Sequence, residues 1–377
     1  MHAPLRQTFQ AEWRSLSTLQ SIAAEWHALA ARALEPNVFY EPAFALAAAP
    51  MFGADAGAVL VRTTSGRLAG VFPARISRRL TSMMVGWTHP FAPLGTPLVD
   101  RDDPEAVIAA WLDHLSHKPT MPAQLLLPLV PEQGAFAKAL GAVLASDGRR
   151  SAAFGHHERA LLAPGATRAG YLERAMSGGK RKELRRLRRR LEDIAPVTLA
   201  TTSDAAGIEA ALKDFLVLEA SGWKGSAGTA IVNHAAIKDF VQTAVTGLAA
   251  QGQARVDRLL FGGTAIAATL TLQSGDTAWC WKIAYNEGLS RSSPGVQLIC
   301  DLTDSLLGGP QPQRVDSCAS AGHPMIDHVW RERLALSDRL IELRASAVPF
   351  AITCQIETLR RSTIGAAKAV RDRLRAR

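Results

Sequence analysis

The pattern of apolar and polar positions is sharpest between Arg255 and Asp301. An apolar run to Phe261, a Gly262-Gly263 turn and alternating Ile266, Ala268, Leu270 and Leu272 predict a β-hairpin. Ser274-Gly275-Asp276 then turns the chain into a third strand, Ala278–Ala284, rich in aromatic and β-branched residues. After it the period becomes helical. Pro294 suits a first helical turn, Ser292 or Ser293 suits the N-cap, and Val296, Ile299, Cys300 and Thr303 recur at helical spacing. Three strands thus run into a small Gly-containing loop that opens a helix. Backbone N–H groups without intrahelical partners meet the positive end of a helix there, which suits phosphate.

The same order of elements occurs upstream. Ala58–Val61 and Leu68–Ile76 flank a Ser65-Gly66 turn, Met83–Trp87 is a third strand, a Pro/Gly loop follows, and Glu105–Leu115 is helical. Sequence identity between the two stretches is slight, so the expected duplication rests on element order and turn position. The first copy has Pro93-Leu94-Gly95-Thr96-Pro97 where a phosphate loop would stand, and its prolines remove N–H donors. A phosphorylated ligand is therefore expected on the second copy. Elsewhere Trp13, Leu16, Leu19, Ile22, Trp26 and Leu29 predict an amphipathic helix over 13–33, Pro42 opens another helix, and Leu125–Val130 reads as a short strand. In the second half a basic helix is stopped by Pro196. It is followed by a strand at Val197–Thr201, helices at Gly207–Ser221 and His234–Ala250 around a Trp223–Ala230 loop, and a strand at Arg314–Asp316.

A chain of 377 residues is long enough for two domains, and 47% hydrophobic residues is ordinary for a globular protein. No apolar run reaches membrane-spanning length. The nearest, Ala43–Val61, is broken by Pro50, Gly53, Asp55 and Gly57. The N-terminal MHAPLRQTFQAEWRSL lacks a basic-then-apolar signal pattern, so a cytoplasmic protein is expected. Cys280, Cys300, Cys318 and Cys354 lack CxxC spacing and suggest neither zinc nor a disulfide framework. The net charge of +9 is mostly local, since Lys180–Arg190 holds eight bases and one acid. There is no GxSxG, Walker A, GxGxxG or HExxH motif. His114 and His117 stand i, i+3 on a helix without a third ligand, His156-His157 is isolated, and no metal is expected.

The segment from about Leu172 to Leu343 resembles the Fem-like branch of the GNAT acyltransferase superfamily, specifically the acetyltransferase domain associated with cellulose and other polysaccharide biosynthesis. The marks are the Arg-rich helix ending in Leu191-Glu192, the Trp223…Gly228-Thr229-Ala230 loop, the Phe261–Leu272 hairpin, the Lys282…Tyr285…Ser293-Pro294-Gly295 run and Asp316 after the next strand. Val38–Pro42 also resembles a segment in the N-terminal half of these proteins. The resemblance implies an α/β fold with mixed α+β sheets: two tandem GNAT-like domains, each a central, mostly antiparallel twisted sheet flanked by helices. The expected division is a degenerate N-terminal domain at 1–165, an acyltransferase domain at 166–345 and a basic helical tail at 346–377. Many relatives carry a Tyr-Lys pair after the strand bearing Asp316, whereas here the segment is Gly322–Asp327.

On this reading Arg291, Ser292, Ser293, Gly295 and Val296 hold the pyrophosphate of acetyl-CoA or another acyl-CoA. The strand before them carries Lys282, for an acceptor phosphate or carboxylate, and Tyr285, for protonating the leaving thiolate. In a regular strand residues 280, 282 and 284 share one face and 285 takes the other. Asp316 and His323 are the candidate bases, and Trp223 and Lys224 the candidate substrate contacts. The expected reaction is transfer of an acyl group, acetyl first among them, to an amine or hydroxyl of a small molecule, sugar or polysaccharide precursor. The alternatives are a Fem-type ligase using aminoacyl-tRNA and a non-catalytic accessory protein docking to membrane or RNA. Lys180–Arg190 has three readings: a solvated face, a surface for an anionic partner such as a membrane, and a tRNA contact, the last disfavoured by the scarcity of aromatics; no DNA partner is expected.

Overall fold

The computed structural model describes residues 8–78, 82–165, 168–309 and 312–375. In chain order the strands are β1 (Phe9–Ser15), β2 (Ala56–Thr63), β3 (Leu68–Arg78), β4 (Ser82–Gly86), β5 (Leu98–Val99), β6 (Gln124–Pro131), β7 (Ser151–Leu162), β8 (Val197–Thr202), β9 (Ala254–Phe261), β10 (Thr264–Ser274), β11 (Thr277–Tyr285), β12 (Arg314–Asp316) and β13 (Glu332–Glu342). The helices are α1 (Ala23–Ala30), α2 (Pro42–Phe52), α3 (Pro104–Ser116), α4 (Ala135–Ser146), α5 (Tyr171–Ala175), α6 (Gly178–Glu192), α7 (Ile208–Ser221), α8 (Trp223–Ser226), α9 (Ala235–Ala249), α10 (Pro294–Leu307) and α11 (Phe350–Arg375). They form two compact units, each discontinuous in sequence. One comprises Met1–Asn37, Gly53–His157 and Ala335–Arg377; the other comprises Val38–Phe52 and Glu158–Leu334.

Strand pairing shows the duplication that element order suggested. In the first unit β1, β2, β3 and β4 pair antiparallel in turn, and β4 then pairs parallel with β6 across α3. In the second, β8, β9, β10 and β11 pair antiparallel in turn, and β11 pairs parallel with β12 across α10. Each unit is therefore a mixed α/β structure with a mostly antiparallel sheet. The closing strands are exchanged along the sequence. β13, which follows β12 in the chain, pairs with β6 in the first unit, while β12 in the second unit is closed by Leu161 and Leu162 of β7.

The units do not follow the expected division. The chain passes between them at His157/Glu158 rather than at 165/166, α2 belongs to the second unit, and β13 from Ala335 and the C-terminal helix belong to the first. Ala166, the first residue of the expected second domain, lies outside the described residues. The expected helix over 13–33 begins as a strand. Trp13 pairs opposite Val59, and its ring stands 2.4 Å from where a Cβ on Gly57 would be. The alternation of Phe9, Ala11 and Trp13 was strand-like, and helical spacing starts only after Leu16.

Two cores frame the second unit. Ala278 and Cys280 of β11 pack with Ile299, Leu302 and Leu306 of α10. Trp279 and Trp281 face the other way, into Phe39 (5.9 Å between ring centroids) and Phe44 (5.5 Å), and Phe44 in turn meets Phe240 of α9 at 5.4 Å. The sheet thus has helices on both faces, and β11 is central and buried before it reaches the site.

Candidate active site

The candidate site lies where β11 and β12 part. Their parallel pairing covers only Thr277–Trp279 against Arg314–Asp316. Beyond it β11 runs on to Tyr285, while the other chain turns away into 317–331. The gap between them is a cavity of about 300 Å³, bordered by Cys280–Tyr285, Ser317–Ser320, His323, Met325 and the start of α8.

A β-bulge aims Lys282 into this gap. Opposite the Leu270/Thr271 step the register slips, and Trp281 becomes an extra residue on β11. Parity reverses there: Cys280 packs with the α10 core, and after the bulge it is Ile283 and Tyr285 that join the α10-side clusters. Residues 280 and 282 therefore do not share a face as a regular strand would require, although 282 and 285 remain on opposite faces. Burial pushes the Lys282 ammonium down to about 8, nearby Lys224 adds to the fall, and Glu219 and Cys318 oppose it. Its Nζ lies 5.6 Å from the centroid of the Trp281 ring.

Lys224 and Trp223 are fixed by two carboxylates. Glu219, buried near the end of α7, accepts from Lys224 Nζ at 2.6 Å and from the Ile231 backbone N–H at 2.9 Å. Glu287, just after β11, accepts from the Trp223 backbone N–H at 2.9 Å. The indole itself stays 63% exposed at the cavity edge. Gly225 allows the chain to fold back so tightly, since a Cβ there would sit 1.7 Å from the Ala220 carbonyl oxygen. Gly225→Ala is expected to cost about 1–3 kcal/mol in denaturant unfolding and to loosen the Lys224–Glu219 pair. Unchanged stability and activity would show that the α7–α8 corner is not fixed this way.

His323 borders the cavity half-buried. Its Nδ1 accepts the Met325 N–H at 3.4 Å, which places the neutral ring's proton on Nε2. Burial lowers its pKa and Asp327 partly offsets this, so the ring is neutral at pH 7. The thiols beside it are held protonated. Burial pushes Cys280 up to about 12 and Cys318 well above its usual value, so neither is an available thiolate nucleophile.

The structure therefore gathers Trp223, Lys224, Lys282, Tyr285 and His323 around one space. It leaves Asp316 outside. That carboxylate is buried, with Oδ2 accepting from Arg159 Nη2 and Oδ1 from the Cys318 N–H at 2.9 Å. Both oxygens are occupied, so Asp316 supports the strand end and is not placed as a base. Arg291, Ser292, Ser293, Gly295 and Val296 do not line the cavity either. Ser293 caps α10 in the left-handed conformation (φ 51°), and Gln297 Nε2 donates to the Ser292 carbonyl at 2.8 Å. Gly295 is buried against two residues that do line it: a Cβ there would stand 2.7 Å from Met325 Sδ and 3.4 Å from Tyr285 Cδ1. Glu219, Glu287 and Arg159 escaped sequence reasoning. Glu219 had a signal, as an acid on the apolar stripe Ile208, Leu212, Phe215, Leu216 of α7.

Residues 178–316, from α6 to the end of β12, match the acetyltransferase (GNAT) domain family. The second unit thus contains an acetyltransferase (GNAT) domain. The chain's fold is shared with FemX (10% identity, 85% of this chain and 95% of that chain, TM-score 0.57). It is shared as well with a conserved protein of unknown function from Bacteroides thetaiotaomicron VPI-5482 (11% identity, 89% and 100% covered, TM-score 0.56). At such identities the likeness is one of fold. No curated protein matches the sequence. Among the candidate site residues only His323 lies beyond the matched stretch.

Proposed function

We propose that the cavity is the acyl-transfer site of an acyl-CoA-dependent N- or O-acyltransferase, with acetyl-CoA as donor and a sugar, polysaccharide precursor or small amine as acceptor. The parting of β11 from β12 carries this reading. A thioester entering that gap would lie along an edge of β11 that has lost its strand partner after Trp279, with backbone dipoles at hand for the developing oxyanion.

Transfer proceeds by direct attack. The acceptor's N or O forms a bond to the thioester carbonyl carbon, the C–S bond breaks, and the acceptor's proton leaves to a base. Lys282 supplies that base: with a pKa near 8, a usable share of its amines is neutral at physiological pH. His323 Nε2–H offers a hydrogen bond to the acyl oxygen or acceptor, and Tyr285 returns a proton to the departing thiolate. The protonated Cys280 and Cys318 disfavour an acyl-enzyme route through sulfur. Arg291–Val296, at the start of α10, is the proposed pyrophosphate contact, with the Gly295 and Val296 N–H groups lacking intrahelical partners by position.

The test is direct. Acetyl-CoA should raise the melting temperature, tRNA should not, and radiolabelled acetyl should pass to an amino- or hydroxy-sugar in an acceptor screen. Stabilisation and transfer with aminoacyl-tRNA in place of acyl-CoA would replace this reading by the ligase one.

A further inference from the structure

We propose that α11 is an in-plane anchor that lays the protein on an anionic lipid bilayer. This rests on residues outside the acyl-transfer site and does not depend on that site's chemistry. One face of α11 is accounted for within its own unit. Phe350, Thr353 and Glu357 are buried, Arg361 donates to Asp338 Oδ2 at 2.6 Å, and its guanidinium lies 5.5 Å from the Phe154 ring centroid. The other face is apolar and open. Ile352 and Leu359 are 45% and 67% exposed and Ile356 lies between them at helical spacing, while Ile364, 54% exposed, continues the Thr353/Glu357 side past the packed part of the helix. With Val348, four of the nine large hydrophobic side chains exposed among the described residues fall between 348 and 364. Such concentration marks a contact surface rather than ordinary scatter.

Past Arg361 the helix is solvated, for Ser362–Ala367 are all exposed. A solvated segment of this length, with Gly365 inside it, gains little from packing. In sequence the apolar spacing 352, 356, 359 continues to Val370 and Leu374, while the last ten residues hold Lys368, Arg371, Arg373, Arg375 and Arg377 against one acid, Asp372. That charge selects the occupant. A second α11 laid on this stripe in parallel would bring like charges together, whereas an anionic headgroup layer accepts the cations while the stripe enters the acyl boundary. No helix among the described residues is long and apolar enough to cross a membrane, so α11 would lie in the interface.

Flotation of the full chain with vesicles tests this. Vesicles of phosphatidylcholine containing about a quarter phosphatidylglycerol should carry the protein, and pure phosphatidylcholine should carry about tenfold less. Leu359→Gln and Ile352→Gln, at exposed positions, should each weaken binding about tenfold with the thermal melt unchanged. The proposal is overturned by failure of the wild-type chain to float with anionic vesicles, or by equal flotation of the variants. It is equally overturned if size-exclusion light scattering shows a dimer that Leu359→Gln dissociates while lipid binding is absent.

Discussion

Lys282→Arg is expected to lower acyl transfer by about 10²–10⁴-fold while keeping the positive charge, because an arginine cannot give up its proton at working pH. The geometry sets this up: the Trp281 bulge turns residue 282 toward the α7 side, where burial and Lys224 bring its pKa down to about 8. For the wild-type enzyme, rate should climb as pH rises through about 8 and then level off, since the neutral amine is the active form. A profile that falls through the same range would make Lys282 a binder of acceptor anions instead, and Lys282→Arg would then retain most activity. The same residue makes a stability prediction of opposite sign. Its folded pKa of about 8 is below the ordinary 10.5, so below pH 8 the folded protein carries a charge it disfavours. Stability should therefore rise between about pH 8 and 10.5, where the unfolded chain holds the extra proton. Lys282→Met should be inactive yet more stable at pH 7, by roughly 3–4 kcal/mol at about 1.4 kcal/mol per pKa unit, with the gain vanishing above pH 10.5. Urea unfolding at the two pH values reads this directly. A residue kept for packing alone would not couple lost activity to gained stability.

Much of this site was legible because its residues lie on one strand and two adjoining turns. The Phe261–Leu272 hairpin and the Pro294 helix start announce themselves by turn chemistry and period, and the structure places them as expected, whereas the expected Trp223–Ala230 loop opens with the short helix α8. What the sequence hides is non-local. The bulge at Trp281 depends on how β10 lies beside β11, and no period in one strand reveals a slip against its neighbour. The exchange that puts β13 beside β6 and the end of β7 beside β12 also escapes, because both strands are compatible with either unit by composition. Asp316 shows a different failure. Its position at a strand end beside the site was read correctly, but the residue that claims it, Arg159, stands 157 positions upstream on a strand whose alternation had not been recognised.

That pair yields the second large effect. Arg159 and Asp316 are each no more than 3% exposed, and they join the last residues of β7 to β12 beside the point where β11 departs. Removing one partner strands the other's charge away from water. Arg159→Met is therefore expected to cost about 3–5 kcal/mol in urea unfolding. Asp316→Asn should cost less, because the amide oxygen can still accept the Cys318 N–H. Replacing both partners with apolar residues, Arg159→Met with Asp316→Leu, should recover most of the loss, since no lone charge remains to be desolvated. Activity separates this account from the one in which Asp316 is a base. Per folded molecule, Asp316→Asn should keep transfer within a few-fold of wild type, because neither carboxylate oxygen faces the cavity unoccupied. A loss beyond a hundredfold, with stability intact, would return the proton-accepting role to Asp316 and leave Lys282 to bind the acceptor.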